Sequence, residues 1–168
     1  MKIKYSRSFR FLYSSLLGYL SYFSILPYWL SPLLNKLRGV KINSIFNVYI
    51  APFVLIDSLY PELVTIEDEV YLTRNVTILT HTNYTKPLQE LLGRENSTGP
   101  VKIGYGTFVG IGATILPRIT IGRCVVIRPG AIVTSDIPDY AIVEGNPARV
   151  VGDIRGRKKG TTNECQTK

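Results

Sequence analysis

His81 is the single histidine in a chain of 168 residues. Its imidazole is the one side chain whose ordinary pKa lies near neutrality. Such a ring can take the proton from a hydroxyl as that oxygen attacks an acyl carbonyl. One histidine also excludes a multi-histidine metal site, and no metal is expected. The two cysteines, Cys124 and Cys165, are too few for a disulfide scaffold, and neither has a Cys or His at metal-ligand spacing. A reducing, cytoplasmic setting is the expectation, with the inner face of a membrane as the alternative position. Asn75-Val76-Thr77, Asn83-Tyr84-Thr85 and Asn96-Ser97-Thr98 match the glycosylation pattern. With no convincing signal peptide, they are read as coincidental.

The rest of the composition narrows the partners. Twenty Lys and Arg against twelve Asp and Glu leave a net charge of +8, although only 19% of residues are charged. That excess suits an anionic ligand, a phosphate-bearing cofactor or an anionic membrane face. The basic residues gather at the two ends rather than among aromatics on one patch, so nucleic acid is not the expected partner. A hydrophobic fraction of 45% can build a core, and the length allows one domain of ordinary size.

Residues 1–41 read as a helical segment. Between Arg10 and Lys36 lie 25 uncharged residues, long enough to raise the question of a membrane span. Pro27 and Pro32 interrupt them, so a helix from about Phe9 should end near Leu26. On a helical wheel Ser14, Ser15, Gly18, Ser21 and Ser24 share one half, opposite Phe11, Leu12, Leu16, Tyr19, Leu20 and Phe23. This half-polar pattern fits a helix packed on the body or a partner subunit, or a peripheral membrane contact through residues 9–34, better than a span.

The region that must position His81 shows a period of six. Every sixth residue from Ile42 is Val48, Val54, Tyr60, Ile66, Leu72 and Ile78. From Ile103 the series runs Val109, Ile115, Ile121, Ile127 and Val133, and twelve of the thirteen are Ile, Leu or Val. Six is neither a helical period nor that of a lone sheet; it marks a solenoid of short strands and turns. Four positions on, small or β-branched residues such as Val64, Val70, Val76, Thr107, Ala113 and Ala131 would fill a narrow prism. Gly104, Gly110 and Gly122 follow the aliphatic position, which suits a corner with unusual φ. The step from Ile78 to Ile103 is 25 rather than 24, and the polar residues 82–100 read as a loop extruded from the solenoid. His81 stands where that loop leaves.

This pattern resembles the hexapeptide-repeat acyltransferases. The resemblance covers residues 42–138 and implies a mainly β fold, a left-handed parallel β-helix with three hexads per coil. The stretch Asn75-Val-Thr-Ile-Leu-Thr-His81 looks like the segment that carries the catalytic His of that family. Gly130-Ala-Ile-Val-Thr-Ser-Asp-Ile-Pro138, followed by Glu144-Gly-Asn-Pro-Ala-Arg149, is similar to the closing motif of its maltose, galactoside and polysaccharide O-acetyltransferase branch. The resemblance implies direct acetyl transfer from acetyl-CoA to a sugar hydroxyl, with His81 as general base and no covalent enzyme intermediate. It also implies a homotrimer whose sites lie between neighbouring solenoids.

By the same resemblance the coenzyme runs along the second block of repeats. Phe108 stands where sugar acetyltransferases often carry Trp, Ile111, Pro129 and Thr134 align with positions touching pantetheine, and Arg149 aligns with a basic residue near the phosphates. Ser135 replaces a frequent Lys, which weakens the phosphate assignment and leaves Arg123, Arg128 or Arg155 as substitutes. If residues 18 apart stack, Glu62 lies over Thr80 and Asp57 over Asn75, so either acid could orient the imidazole or bind the acceptor. Residues 139–168 form a closing segment and a basic tail. An N-acetyltransferase of an amino sugar and a non-catalytic β-helix scaffold remain the alternatives. A zinc carbonic-anhydrase use of such a fold lacks its histidines, and the 41 residues before the repeats are too few for a nucleotide-binding domain.

Overall fold

The computed structural model describes residues 7–22, 27–93 and 96–157. Two helices, α1 (Arg7–Tyr22) and α2 (Leu30–Leu37), precede a series of very short strands. The first coil carries β1 (Lys41–Ile42), β2 (Tyr49–Ile50) and β3 (Leu55–Ile56). The second carries β4 (Val64–Ile66), β5 (Tyr71–Leu72) and β6 (Thr77–Ile78). An excursion follows, with β7 (His81–Thr82), α3 (Lys86–Leu92) and β8 (Ser97–Thr98). The third coil has β9 (Val101–Ile103), β10 (Phe108–Val109) and β11 (Thr114–Ile115). The fourth has β12 (Thr120–Ile121), β13 (Val126–Ile127) and β14 (Ile132–Val133). A hairpin of β15 (Ala141–Glu144) and β16 (Arg149–Asp153) closes the fold.

The chain visits three parallel sheets in rotation, ordered β1-β4-β9-β12, β2-β5-β10-β13-β15 and β3-β6-β11-β14, with β16 antiparallel on β15. This is a three-sided parallel solenoid. In a two-residue strand one side chain points in and the other out. The inward series Ile42, Ile50, Ile56, Ile66, Leu72, Ile78, Ile103, Val109, Ile115, Ile121, Ile127 and Val133 is buried throughout. The outward partners differ by face. They are Lys41, Thr65, Lys102 and Thr120 on the first sheet, Tyr49, Tyr71, Phe108 and Val126 on the second, and Leu55, Thr77, Thr114 and Ile132 on the third.

Two readings of the repeat are corrected by this register. The series through Val48, Val54 and Tyr60 treats the first coil as strictly six-fold. Its strands instead place Ile42, Ile50, Ile56 and Ile66 inward, with two extra residues before Ile50 and four more before Ile66. The insertions add up to one repeat, so the phase returns at Ile66 and the sequence looks uninterrupted. Val48 and Val54 are buried too, in the second inward position, whereas Tyr60 lies outside the core series. Consequently Leu55 pairs with Thr77 and Ile56 with Ile78, 22 residues apart rather than 18. In the last two coils the 18-residue step holds, as Thr114 with Ile132 shows.

The corner glycines also act differently from expectation. Positive φ falls three residues after the inward residue, at Gly106, Gly112 and Gly130 and at Asn75, Arg118 and Cys124. Gly104, Gly110 and Gly122 are not in that region. A Cβ on Gly110 would lie 2.5 Å from Pro129 N, and one on Gly104 would lie 2.5 Å from Gly122 O. These glycines are required because the next coil passes too close for a side chain.

The loop expected at 82–100 holds α3 between the paired strands β7 and β8, with Gly93 at its C-cap in the left-handed conformation. At the other end, α1 packs on α2 with Ser14 and Ser21 buried, while Leu12, Leu16, Tyr19 and Leu20 are each more than half exposed. The helix is polar inside and apolar outside. Ser24 and Phe23 of the helical wheel, Leu26, Cys165, and Lys158 and Lys159 of the basic tail lie outside the described residues. Among the described residues no helix is long and apolar enough to cross a membrane.

Candidate active site

His81 opens β7 at the edge of the third sheet, where the chain leaves the second coil. Its backbone pairs with Thr98 across the excursion, and Gly99 N donates to Thr80 O at 2.8 Å. The base of the loop is thereby tied to the coil beside the imidazole. Nδ1 lies 2.5 Å from Asp57 Oδ2, and the His81 side chain keeps 21% exposure while that of Asp57 has none. Tyr60 presents its ring edge-on to the imidazole, with centroids 5.9 Å apart.

Asp57 reaches His81 because of the first-coil insertions. It follows the last strand of that coil, and its N–H donates to Ile78 O at 2.9 Å, which sets the carboxylate beside Thr80. An 18-residue register would have put Asp57 over Asn75 and Glu62 over Thr80. The extra residues around Pro61–Leu63 carry Glu62 to another place, where its Cβ lies 3.7 Å from the position of a Cβ on Gly39. Burial opposes the charge of Asp57, but hydrogen bonds outweigh it and hold the carboxyl below its ordinary range. The donors are Thr80 N–H to Oδ2 at 2.9 Å, the His81 ring, and Leu59 N–H to Oδ1 at 2.9 Å. An ionised Asp57 accepting from Nδ1 fixes one tautomer of the neutral ring and leaves Nε2 as the basic nitrogen.

Behind this pair stands a residue that sequence reasoning passed over. Arg38, at the C-cap of α2, is 7% exposed. Its Nε donates to Asn35 Oδ1 at 2.9 Å and its Nη2 to Ile56 O at 2.5 Å, while Nη1 is buried without a hydrogen-bond partner. Burial lowers its pKa to about 10, and Asp57 partly offsets that fall. The available signal was a charged residue directly after an apolar helix, which reads equally well as a solvated end.

The other residues singled out from the sequence lie higher on the solenoid. Gly130 N donates to Ile111 O, which joins the corner of Ile111 to that of Pro129 and Gly130. Thr134 and Ser135 follow β14, and the preceding Val133 accepts from Leu116 N, in the corner that carries Thr80 two coils below. These two groups border opposite edges of the third sheet, and His81 sits on the Thr134 edge. Phe108 belongs to the second sheet and stands between Tyr71 and Val126. Arg149 opens β16, with Nη1 donating to Ala148 O at 2.9 Å. Of the substitutes for phosphate contact, Arg128 is paired with Glu144 and Arg155 with Asp153 at 2.6 Å. Arg123 lies 5.5 Å from the Tyr105 ring centroid.

A part-buried histidine bonded to a buried aspartate at the edge of a hexad-built solenoid is the arrangement that comparison with known proteins bears on. No protein-family model matches the chain. It is 36% identical over 101 residues to "Putative acetyltransferase YvoF" of Bacillus subtilis, covering 60% of this chain and 54% of that protein. A yeast relative, "Putative acetyltransferase YJL218W" of Saccharomyces cerevisiae, is also 36% identical, over 100 residues that cover 60% of this chain and 50% of the relative. The chain thus spans about half the length of the curated relatives it matches. Among solved structures, a maltose O-acetyltransferase from Clostridium difficile 630 aligns over 88% of both chains with 25% identity and a TM-score of 0.59. A galactoside acetyltransferase in complex with coenzyme A aligns over 97% of this chain and 90% of its own, with 24% identity and a TM-score of 0.71. The chain is thus similar in sequence to proteins named as acetyltransferases and in fold to sugar O-acetyltransferases and hexapeptide-repeat acetyltransferases.

Proposed function

We propose that the protein is an acetyl-CoA-dependent O-acetyltransferase that acts on a sugar hydroxyl, with His81 as general base and Asp57 as the acid that orients it. The 2.5 Å contact between Asp57 and the one histidine carries this reading. Nε2 of His81 takes the acceptor proton as the hydroxyl oxygen attacks the thioester carbonyl carbon. The C–S bond then breaks, and the imidazolium returns its proton to the departing sulfur, giving the ester and free CoA thiol. A backbone N–H stabilises the oxyanion, and the excursion 82–100 excludes water. Ile111, Pro129, Thr134, Ser135 and Arg149 hold the coenzyme along the edges of the third sheet, with Phe108 on the adjoining face. The coil is left-handed, and three copies assemble so that each site lies between two solenoids. The leucines that α3 exposes, Leu88, Leu91 and Leu92, suit contact with a neighbouring coil.

The acceptor is a surface-polysaccharide or glycolipid unit handled near an anionic bilayer. The inverted polarity of α1 supports this position. Its outward face carries Leu12, Tyr13, Leu16, Tyr19 and Leu20, and the sequence places Lys2, Lys4, Arg7 and Arg10 at its start. Transfer to an amino-sugar nitrogen is the competing chemistry, since one base serves either nucleophile. Paired acceptors that differ only in hydroxyl or amine at one carbon, followed by mass analysis of the product, separate the two. An ester product supports the reading, and an amide formed in preference overturns it.

A further inference from the structure

The side chains behind Asp57 form a continuous polar path from the helical hairpin into the site. Ser21 Oγ lies 2.7 Å from Ser31 Oγ and accepts from Asn35 Nδ2 at 2.6 Å, and Asn35 Nδ2 also donates to Ser31 O at 2.9 Å. With Nδ2 so engaged, Asn35 Oδ1 is turned to Arg38 Nε. The guanidinium is thus gripped from the helix side, and its far edge bonds Ile56 O, the carbonyl immediately before Asp57. On α1, Ser14 Oγ donates to Ser58 O at 3.1 Å, immediately after Asp57. The peptide that precedes the acid and the Ser58–Leu59 peptide, whose N–H donates to Asp57 Oδ1, are therefore both held from the hairpin. Ser21, Ser31, Asn35 and Arg38 are all nine-tenths or more buried, an expensive arrangement for an apolar segment.

The acid itself is fully committed elsewhere. Leu59 N–H, Thr80 N–H and the His81 ring occupy the Asp57 oxygens. Arg38 places a positive charge behind the carboxylate without taking the hydrogen-bonding position that His81 uses. Its fork has two directions, and a lysine cannot reproduce both bonds. Gly18 makes room for it, since a Cβ there would stand 2.7 Å from Nη1.

We infer that Arg38 is a positioning residue for His81, acting through Asp57, and that the α1–α2 hairpin is the brace that holds it. The inference rests on the reading of His81 as base, but it is tested without acetyl transfer. Because the chain has one histidine, selective 15N-histidine labelling reports this imidazole alone. The wild type is expected to show the neutral ring with its proton on Nδ1 and a downfield proton bonded to Asp57. Arg38→Met is expected to lose that signal and to turn the ring into a tautomer mixture. Arg38→Lys, which keeps the charge but not the fork, is expected to recover part of it.

Gly18→Ala guards against a variant that simply fails to fold. Alanine favours the helix, yet its methyl displaces Nη1, so the expected result is unchanged melting with a weakened Nδ1 signal. Where the wild type turns over, Arg38→Met is expected to lower kcat at least roughly tenfold and to leave KM for acetyl-CoA within about twofold. A wild-type imidazole signature in folded Arg38→Met, or in both Gly18→Ala and Arg38→Lys if Arg38→Met does not fold, overturns the inference. If the signature changes as expected but the wild type transfers no acetyl group to any acceptor, the functional reading fails and the positioning role stands.

Discussion

At the scale of residues, the site depends on one ionised carboxylate kept dry. Asp57→Asn would still hold the ring in place, but the amide can donate to Nδ1 and select the wrong tautomer. We expect kcat to fall about 10²-fold or more, with coenzyme affinity unchanged, as read by steady-state kinetics beside calorimetric binding. The same carboxyl links stability to pH. Because its folded pKa lies below the ordinary value, it contributes stability above the ordinary carboxylate range and loses that contribution as pH falls through the lower folded value. The wild type should therefore lose more of its melting temperature between about pH 5 and pH 3 than Asp57→Asn does, in parallel thermal scans. Equal losses would remove Asp57 from the acid transition.

Much of this was legible at residue level, since His81 announced itself by being alone and by standing where the repeat breaks. The choice between Asp57 and Glu62 was not legible. It depends on insertions of two and four residues that cancel in the hexad count, and their effect appears only once strands are paired. Arg38 was hidden for another reason. A sequence gives no sign that a lone arginine after a helix turns inward, because its compensation comes from residues up to 18 positions away.

At the scale of elements, the strands carry little intrinsic stability and gain theirs by stacking, since each coil covers the aliphatic layer of the next. The corners make this possible, and their glycines fall into two kinds. Gly110→Ala forces a methyl against the Pro129 backbone at 2.5 Å and should cost about 2–3 kcal/mol in urea unfolding. Gly112→Ala meets no atom within 4 Å but sits at φ +70°, so it should cost only about 1 kcal/mol. The reverse ranking would mean that torsion, not coil spacing, dictates these positions. The period of six was readable because an inward aliphatic recurs whatever the corners do. Which glycine serves torsion and which serves clearance is a property of the stacked coils.

At the scale of the whole molecule, an inverted helix crowns the open end of the solenoid. The serines of this segment were expected on one half and the leucines and aromatics on the other, and among the described residues Ser14 and Ser21 are buried while Leu12, Leu16, Tyr19 and Leu20 are exposed. The direction of that division follows from the buried Asn35–Arg38 network, which draws the polar half inward and leaves the leucines outside. If this face meets a bilayer, the protein should sediment with vesicles containing phosphatidylglycerol, and Leu16→Glu with Leu20→Glu should reduce the bound fraction at least roughly fivefold. Salt should weaken the contact without abolishing it, because apolar burial persists when charge is screened. Equal sedimentation of the double variant would assign the face to something other than lipid.

The most direct test of the central claim follows free thiol release from acetyl-CoA against sugars, amino sugars and lipid-linked saccharides, for wild type and His81→Ala. The account predicts acceptor-dependent release that falls about 10²–10⁴-fold in the variant, while the variant stays folded and binds coenzyme A as tightly as before. Acceptor-dependent release that survives in His81→Ala, or a folded wild type with neither release nor coenzyme binding, would contradict it.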